Sequence, residues 1–301
     1  MNSVYSRRFT YTISEQDAGQ TAEQFLRSQG YSKNLIVQLR KNPMGITMDG
    51  ELIYTTRRLL KGDRLSILLT EEESSANIVP SAMPLDVVYE DGDILIINKA
   101  AGVPIHPSQG NFSNTLANAA AWYFQQKQEP FIYRAVNRLD RDTTGLLILA
   151  RHSLAACILS EMVARREIHR EYLAVAEGRV PDAGTISAPI ARVDGSTIER
   201  CVDFETGEAA VTHYRCLRYN ATYDCSLVSL RLETGRTHQI RVHMKYIGHP
   251  LPGDFLYNPD YRLIGRQALH SCRLSFLHPI TKKELHFEAP LPDDMKFVTE
   301  T

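Results

Sequence analysis

The feature that most limits how this chain can fold is residues 146–150, LLILA, five consecutive apolar residues set directly behind the polar loop NRLDRDTTG of residues 137–145. A strand with one wet face alternates polar and apolar side chains; a strand with none must be covered on both faces. The run therefore predicts a fully buried strand inside a layered domain. Residues 85–98, LDVVYEDGDILIIN, predict two more apolar strands around an Asp-Gly turn. A further strand is expected near residues 133–136, and a helix over 114–126. A second helix is expected after an N-cap at Ser153, with Leu154, Cys157, Ile158 and Met162 on one face. From Glu171 onward, segments such as EYLAVAEG, AAVTHYRCL and CSLVSLRLETG outnumber helices. The expected class is α+β, with a large mixed, mostly antiparallel sheet and flanking helices.

Residues 71–84, EEESSANIVPSAMP, are acidic and then rich in Ser, Ala and Pro, with neither apolar period, so they cannot bury a face. The expected division is a small α/β domain over 1–72, a linker over 73–84 and a larger domain over 85–301. Within the first, helices are expected over 21–26 and 33–39 with a stop at Gly30, followed by short strands with turns at Asp49-Gly50 and Gly62-Asp63. The net charge of -1 conceals an asymmetry, since residues 1–70 carry 10 Lys and Arg against 6 Asp and Glu. Lys33, Arg40, Lys41, Arg57 and Arg58 are candidates for a phosphate-contacting face, or for an ordinary solvated one. The five cysteines include no CxxC pair, which suggests reduced thiols rather than zinc or disulfides. No apolar run approaches the roughly 18 to 20 residues of a membrane span, and the start MNSVYSRRFTYTISEQD has no signal-peptide core. A cytoplasmic protein without a membrane partner is expected.

Two constellations carry chemistry. The loop at 137–145 holds Asp140 and Asp142 between strongly apolar segments, where a rigid sheet could aim them; turn-forming aspartates are the alternative reading. Residues 232–257, LETGRTHQIRVHMKYIGHPLPGDFLY, gather Arg236, His238, Arg241, His243, Lys245 and His249 behind an alternating apolar framework of Ile240, Val242 and Met244. The histidine spacing fits no zinc pattern, so satisfied structural histidines are expected and no metal site. A guanidinium from Arg236 beside a buried aspartate would hold that aspartate ionised.

Taken in order, INKAAGVPIHP (97–107), RLDRDTTGLLILAR, REYLAVAEG (170–178), GEAAVTHYRCL and LETGRTHQIRVHMKYIGHPLPGD resemble the RluA-type pseudouridine synthases, from about residue 85 to about residue 290. The first seventy residues resemble the small alpha-L RNA-binding domain similar to one in a small-subunit ribosomal protein. The resemblance implies isomerisation of selected uridines in ribosomal or transfer RNA, with no cofactor and no metal, by a protein for which a monomer is favoured. It makes Asp140 the catalytic aspartate, Tyr172 the stacking partner of the target base and Arg236 the arginine paired with the aspartate. Ile240 would floor the base pocket, Arg138 would fill the gap left in the RNA, and Thr143, Thr237 and His238 complete the implied substrate contacts. One departure stands out: Asn137 occupies the position before Arg-Leu-Asp where the family commonly has His, and Asn cannot titrate near neutral pH. The competing expectations are an idle RNA-binding or ribosome-assembly factor that keeps the fold, and a metal-dependent hydrolase built on His238 and His243.

Overall fold

The computed structural model describes residues 4–300. Its first unit contains strands β1 (Tyr5–Thr12), β2 (Ile46–Met48), β3 (Glu51–Leu52) and β4 (Arg64–Glu71), paired in the order β1-β4-β2-β3, with helices α1 (Ala22–Ser28) and α2 (Lys33–Leu39). Both helices start on hydroxyl caps. Thr21 and Gln24 cap each other's backbone N–H groups, and the Ser32 hydroxyl accepts from Leu35 N.

The remainder is built on a nine-stranded sheet. Its strands are β5 (Val87–Glu90), β6 (Ile94–Lys99), β7 (Thr144–Ala150), β8 (His169–Glu177), β9 (Ala183–Ser187), β12 (Val211–Asn220), β13 (Cys225–Leu232), β14 (Leu269–Leu277) and β15 (Glu284–Glu288). They run in the order β5-β6-β7-β14-β8-β13-β12-β9, with β15 on β14, and β7 meets β14 in parallel whereas its other described neighbours pair antiparallel. A separate hairpin joins β10 (Ile190–Arg192) to β11 (Arg200–Val202). Helices α3 (Leu116–Gln126), α4 (Ser153–Ala164) and α5 (Gln239–Tyr246) flank the sheet. The class is therefore α+β with a mostly antiparallel sheet. Among the described residues no helix is long and apolar enough to cross a membrane.

The apolar runs of β6 and β7 are explained by what covers their two faces. Leu146, Ile148 and Ala150, with Ile94 and Ile96, face a core shared with Leu154, Ile158 and Met162 of α4. Leu147 and Leu149, with Leu95 and Ile97, face a second core containing Leu116, Ala120 and Phe124 of α3 and Ile240 and Met244 of α5. Neither face is left for water, so period-2 alternation is suppressed.

The first core does not stop at α4. It continues into Phe9, Phe25, Leu26, Leu35, Ile36 and Leu65 of the N-terminal unit, so the two sheets share one apolar interior. The turn between α1 and α2 sits directly on α4: Gly30 has φ +90°, and a Cβ there would lie 2.6 Å from Ile158 Cγ1. Arg7 of β1 adds a forked ion pair to Asp93, whose Oδ1 also receives His152 Nε2 at 2.9 Å. His152 Nδ1 in turn accepts from Ala155 N at 3.2 Å, which makes His152 the N-cap of α4, one residue before the expected Ser153. The imidazole reaches a buried carboxylate as well as the helix end, a combination a serine hydroxyl is too short to make.

Two other expectations are refined. Residues 133–136 are extended but bridge β7 at one point only, Ala135 to Leu149. The segment after residue 71 lacks regular structure, as its composition predicts, yet it is stitched down: Asn118 Nδ2 donates to Val79 O at 2.7 Å, and the hydroxyls of Ser74 and Ser75 accept from Phe131 N and Tyr133 N.

Candidate active site

Asp140 lies in the loop that feeds β7, and the start of that strand is fixed by a close backbone approach. Gly145 has φ +110°, and a Cβ there would lie 2.2 Å from Ser271 O, so only glycine allows β7 to run against β14 at this point. The loop behind Asp140 is tied by its own carbonyls. Thr143 N donates to Asp140 O at 3.1 Å, Lys99 Nζ donates to Arg141 O at 2.7 Å, and Arg266 Nη1 donates to Asp142 O at 3.2 Å. Arg266 is held from the other side by Asp294, in the 3₁₀ helix Asp293–Thr299 near the C-terminus. Burial pulls the Lys99 ammonium down to about 7, against the opposing pull of Asp142 and Asp140. Asp142 forms an ion pair with its neighbour Arg141 at 2.8 Å.

The arginine that meets Asp140 is Arg241. Its Nη1 donates to Asp140 Oδ2 at 3.0 Å, while its Nε and Nη2 make a two-pronged contact with Asp254 at 2.6 Å each. Arg241 and Asp254 are 1% and 0% exposed, Asp140 21% in its side chain, so the guanidinium bridges a sealed carboxylate and one that opens to the surface. Burial alone would disfavour this cation, but hydrogen bonds and charge from Asp254 and Asp140 outweigh it and raise its pKa further. The Tyr257 and Phe255 rings lie 4.9 and 5.5 Å from the guanidinium carbon, adding cation–π contacts.

Arg236 does not make the expected pair with Asp140. It precedes α5, is 39% exposed in its side chain, and pairs with Glu208 while donating through Nε to Ala209 O at 3.1 Å. The alternation of Ile240, Val242 and Met244 is not a strand but a helix buried around most of its circumference, and the helical turn carries Arg241 rather than Arg236 toward the loop.

Asp140, Thr143, Tyr172, Arg236, Thr237, His238, Ile240 and Arg241 line one cavity of about 90 Å³, so Arg236 shares the cavity although it does not pair with the aspartate. Tyr172 is 4% exposed, and burial raises its phenol pKa, leaving a neutral ring as one wall. Ile240, also 4% exposed, supplies apolar lining. His238 adopts a left-handed backbone with φ 59°, a costly conformation for a non-glycine residue that recurs at functional sites. That backbone sets Nε2 4.0 Å from Asp140 Oδ1, with Nδ1 on Tyr257 Oη at 2.9 Å. Burial lowers the His238 pKa, against the opposing pull of Asp140, and so favours the neutral ring. Arg138 and Arg170 stand at the mouth, lining both this cavity and a groove of about 830 Å³ that opens from it.

Other expected residues lie elsewhere. Asn137 is 7% exposed, and its Oδ1 accepts from Ile148 N at 2.9 Å, so it braces β7 with a neutral hydrogen bond. His243 is satisfied at both nitrogens by Thr212 and Ala188 O, and His249 binds Glu177 O. Lys33, Arg40, Lys41, Arg57 and Arg58 are exposed on the N-terminal unit and line neither the cavity nor its groove. Among the described residues, Asp91, Asp93 and His278 have the mutual distances of a metal-ligand trio, but Arg7 and His152 already occupy Asp93. The residues sequence reasoning passed over are Arg241 in this role, Asp254, Lys99 and Arg266. Each acts through a contact that only the tertiary fold creates.

Comparison with known proteins identifies the family. The RNA pseudouridylate synthase family matches residues 93–246, a span that contains Asp140, Tyr172 and Arg241. The chain is 40% identical over 290 residues to a Bacillus subtilis (strain 168) protein named "Uncharacterized RNA pseudouridine synthase YhcT", covering 96% of this chain and 95% of that one. It is 37% identical over 304 aligned residues to "Ribosomal large subunit pseudouridine synthase D" of Escherichia coli (strain K12), covering 96% and 92%. The solved structure "Human RNA Pseudouridylate Synthase Domain Containing 1" superposes with a TM-score of 0.59 at 27% identity, over 70% of this chain and 84% of that one. A mostly antiparallel sheet, an arginine-held aspartate in a small cavity and similarity along nearly the whole chain together place this protein in the RNA pseudouridine synthase family.

Proposed function

We propose that the enzyme isomerises specific uridines in structured RNA, with large-subunit ribosomal RNA the favoured substrate class, and that Asp140 is the essential catalytic carboxylate. The observation that carries the reading is the Asp140–Arg241 contact in the wall of a cavity of about 90 Å³. A uridine cannot be rearranged inside a helical stack, so it must be extruded, at a cost of a few kcal/mol that contacts in the pocket offset. In this reading Tyr172 and Ile240 receive the uracil ring, and Arg138 at the mouth takes the place the base vacates. Detaching uracil from the ribose and rejoining it through C5 develops positive charge on the sugar. An ionised Asp140, held by the buried Arg241, is suited to meet that charge, whether it bonds to the ribose C1′ or removes a ribose proton.

Ribosomal RNA is favoured because several relatives carry that substrate in their names, at 37–39% identity over most of this chain. The test is to incubate the purified protein with unmodified transcripts of large-subunit ribosomal RNA and of transfer RNA, and to map pseudouridine in each. Product at discrete ribosomal positions is expected; product in transfer RNA alone overturns the substrate assignment.

A further inference from the structure

The catalytic groove is not the only cleft with an excess of positive charge. A second, of about 700 Å³, opens between the N-terminal unit and the larger one, with β1 and the α1–α2 turn on one side and α4 and the turn after β14 on the other. Its charged lining is Arg7, Arg8, Arg27, Arg165 and Lys282 against Glu161 and Glu167. Arg7 is neutralised by Asp93 and Arg165 by Glu161. Among the described residues, the other three cations meet no carboxylate: Arg8 donates to Ser66 Oγ, Arg27 to Tyr31 O, and Lys282 to Pro279 O. In a chain whose net charge is -1, this is a local concentration of available cations.

The two clefts share a wall. Val163 and Arg166, at the C-terminal end of α4, line the catalytic groove, whereas Met162 and Arg165 line the interdomain cleft. Arg166, paired with Glu233, and Arg165, paired with Glu161, stand side by side where the two clefts meet, so a polyanion leaving the groove there enters the cleft lined by Arg8, Arg27 and Lys282. The shared apolar core and the Arg7–Asp93 pair fix the N-terminal unit against α4, so the spacing of cations across the cleft is built into the fold rather than left to a tether.

We infer that this interdomain cleft is a contact surface for the sugar-phosphate backbone of RNA helix flanking the target uridine. Arg8, Arg27 and Lys282 are its phosphate ligands, and the catalytic groove and the cleft form one track. The inference rests on the proposed action on structured RNA, and it adds a surface separate from Lys33, Arg40, Lys41, Arg57 and Arg58.

The test uses the full chain and two fluorescein-labelled RNA hairpins with the same loop, with stems of about 6 and about 20 base pairs, which bracket the roughly 16 base pairs a duplex-reading domain spans. The triple variant Arg8→Glu, Arg27→Glu, Lys282→Glu is compared with Arg64→Glu, Arg218→Glu, Lys283→Glu, which makes the same charge change at exposed positions outside both clefts. The cleft variant should bind the long hairpin about 10- to 100-fold more weakly, with a log Kd against log salt slope shallower by about two to three, and should lose much less on the short hairpin. Equal losses on both hairpins, or a loss no larger than that of the comparison variant, overturns the inference. Pseudouridine formed by the wild-type protein in a ribosomal transcript is scored separately. Its absence counts against the proposed reaction, while the binding comparison still decides the cleft.

Discussion

Replacing Arg241 by Met and Asp254 by Asn together removes the buried cation without stranding a buried charge. Arg241→Met alone would leave the Asp254 carboxylate uncompensated at 0% exposure, a cost of about 3–5 kcal/mol that could unfold the protein. With Asp254→Asn added, the side-chain oxygen still accepts from Leu256 N and Tyr257 N, and the cost falls to that of one buried amide NH2 without its partner, about 1–3 kcal/mol. Asp140 then keeps its place in the loop but loses the charge-assisted bond at 3.0 Å. A preorganised electrostatic contact of this kind contributes about 2–4 kcal/mol to a transition state, so kcat should fall about 30- to 1,000-fold. Arg236→Ala removes a partly exposed pair with Glu208, 69% exposed in its side chain, and part of the cavity wall but no contact with Asp140, and should cost less than the double variant. Single-turnover pseudouridine formation, followed by nucleoside mass spectrometry beside thermal melts, measures both. A folded double variant with near-wild-type turnover, or an Arg236→Ala variant that loses more than the double variant does, would refute the assignment of Arg241.

The pH dependence of stability should carry a signature of Lys99. Its pKa is lowered by burial to about 7 while the unfolded chain keeps the ordinary value near 10.4, so the unfolded state binds more protons between those limits and stability rises with pH across them. Denaturant melts should show Lys99→Met losing up to about 1.4 kcal/mol per pH unit of that slope; an unchanged slope would contradict the assignment. Asn137→Ala removes the acceptor for Ile148 N in buried β7 and should destabilise by about 1–3 kcal/mol, with activity retained below the melting transition; a loss of activity in the folded variant would give Asn137 a chemical role. Deleting residues 1–71 uncovers the side of α4 that carries Leu154, Ile158 and Met162, at about 1.5–3 kcal/mol per fully buried side chain. The truncated chain should aggregate or melt far below the full one, and a truncation of equal Tm would show that the shared core contributes nothing.

What was legible in the sequence followed from periodicity and local chemistry. The uninterrupted apolar run behind Asp140 announced a strand covered on both faces, and the cores on either side of β7 are the reason. The loop that positions Asp140 stood out between apolar segments, whereas Tyr172, Ile240 and Thr143, which share its cavity, came only with the family resemblance. The resemblance named Arg236 as the partner of the aspartate; that Arg241 makes the contact instead depends on how α5 turns its side chains, with a period of 3.6, against the loop. Nor was the contact of Asp140 with a residue 101 positions away, or the hold of Lys99 on a carbonyl 42 positions away, written in any local pattern. The first seventy residues look self-sufficient in sequence because each short helix and strand has its own cap or turn. That their core continues into α4 depends on Gly30 meeting Ile158, a complementarity with no one-dimensional trace.

The central claim is that Asp140 performs the chemistry while the surrounding residues bind and orient. It is tested most directly by mapping pseudouridine in unmodified large-subunit ribosomal RNA after incubation with the wild-type protein and, in parallel, with Asp140→Asn, which preserves the size of the side chain and removes its charge. The account predicts discrete new pseudouridines from the wild type, none from Asp140→Asn, and RNA affinity within about tenfold between the two. Pseudouridine formed by Asp140→Asn at a comparable rate would contradict it.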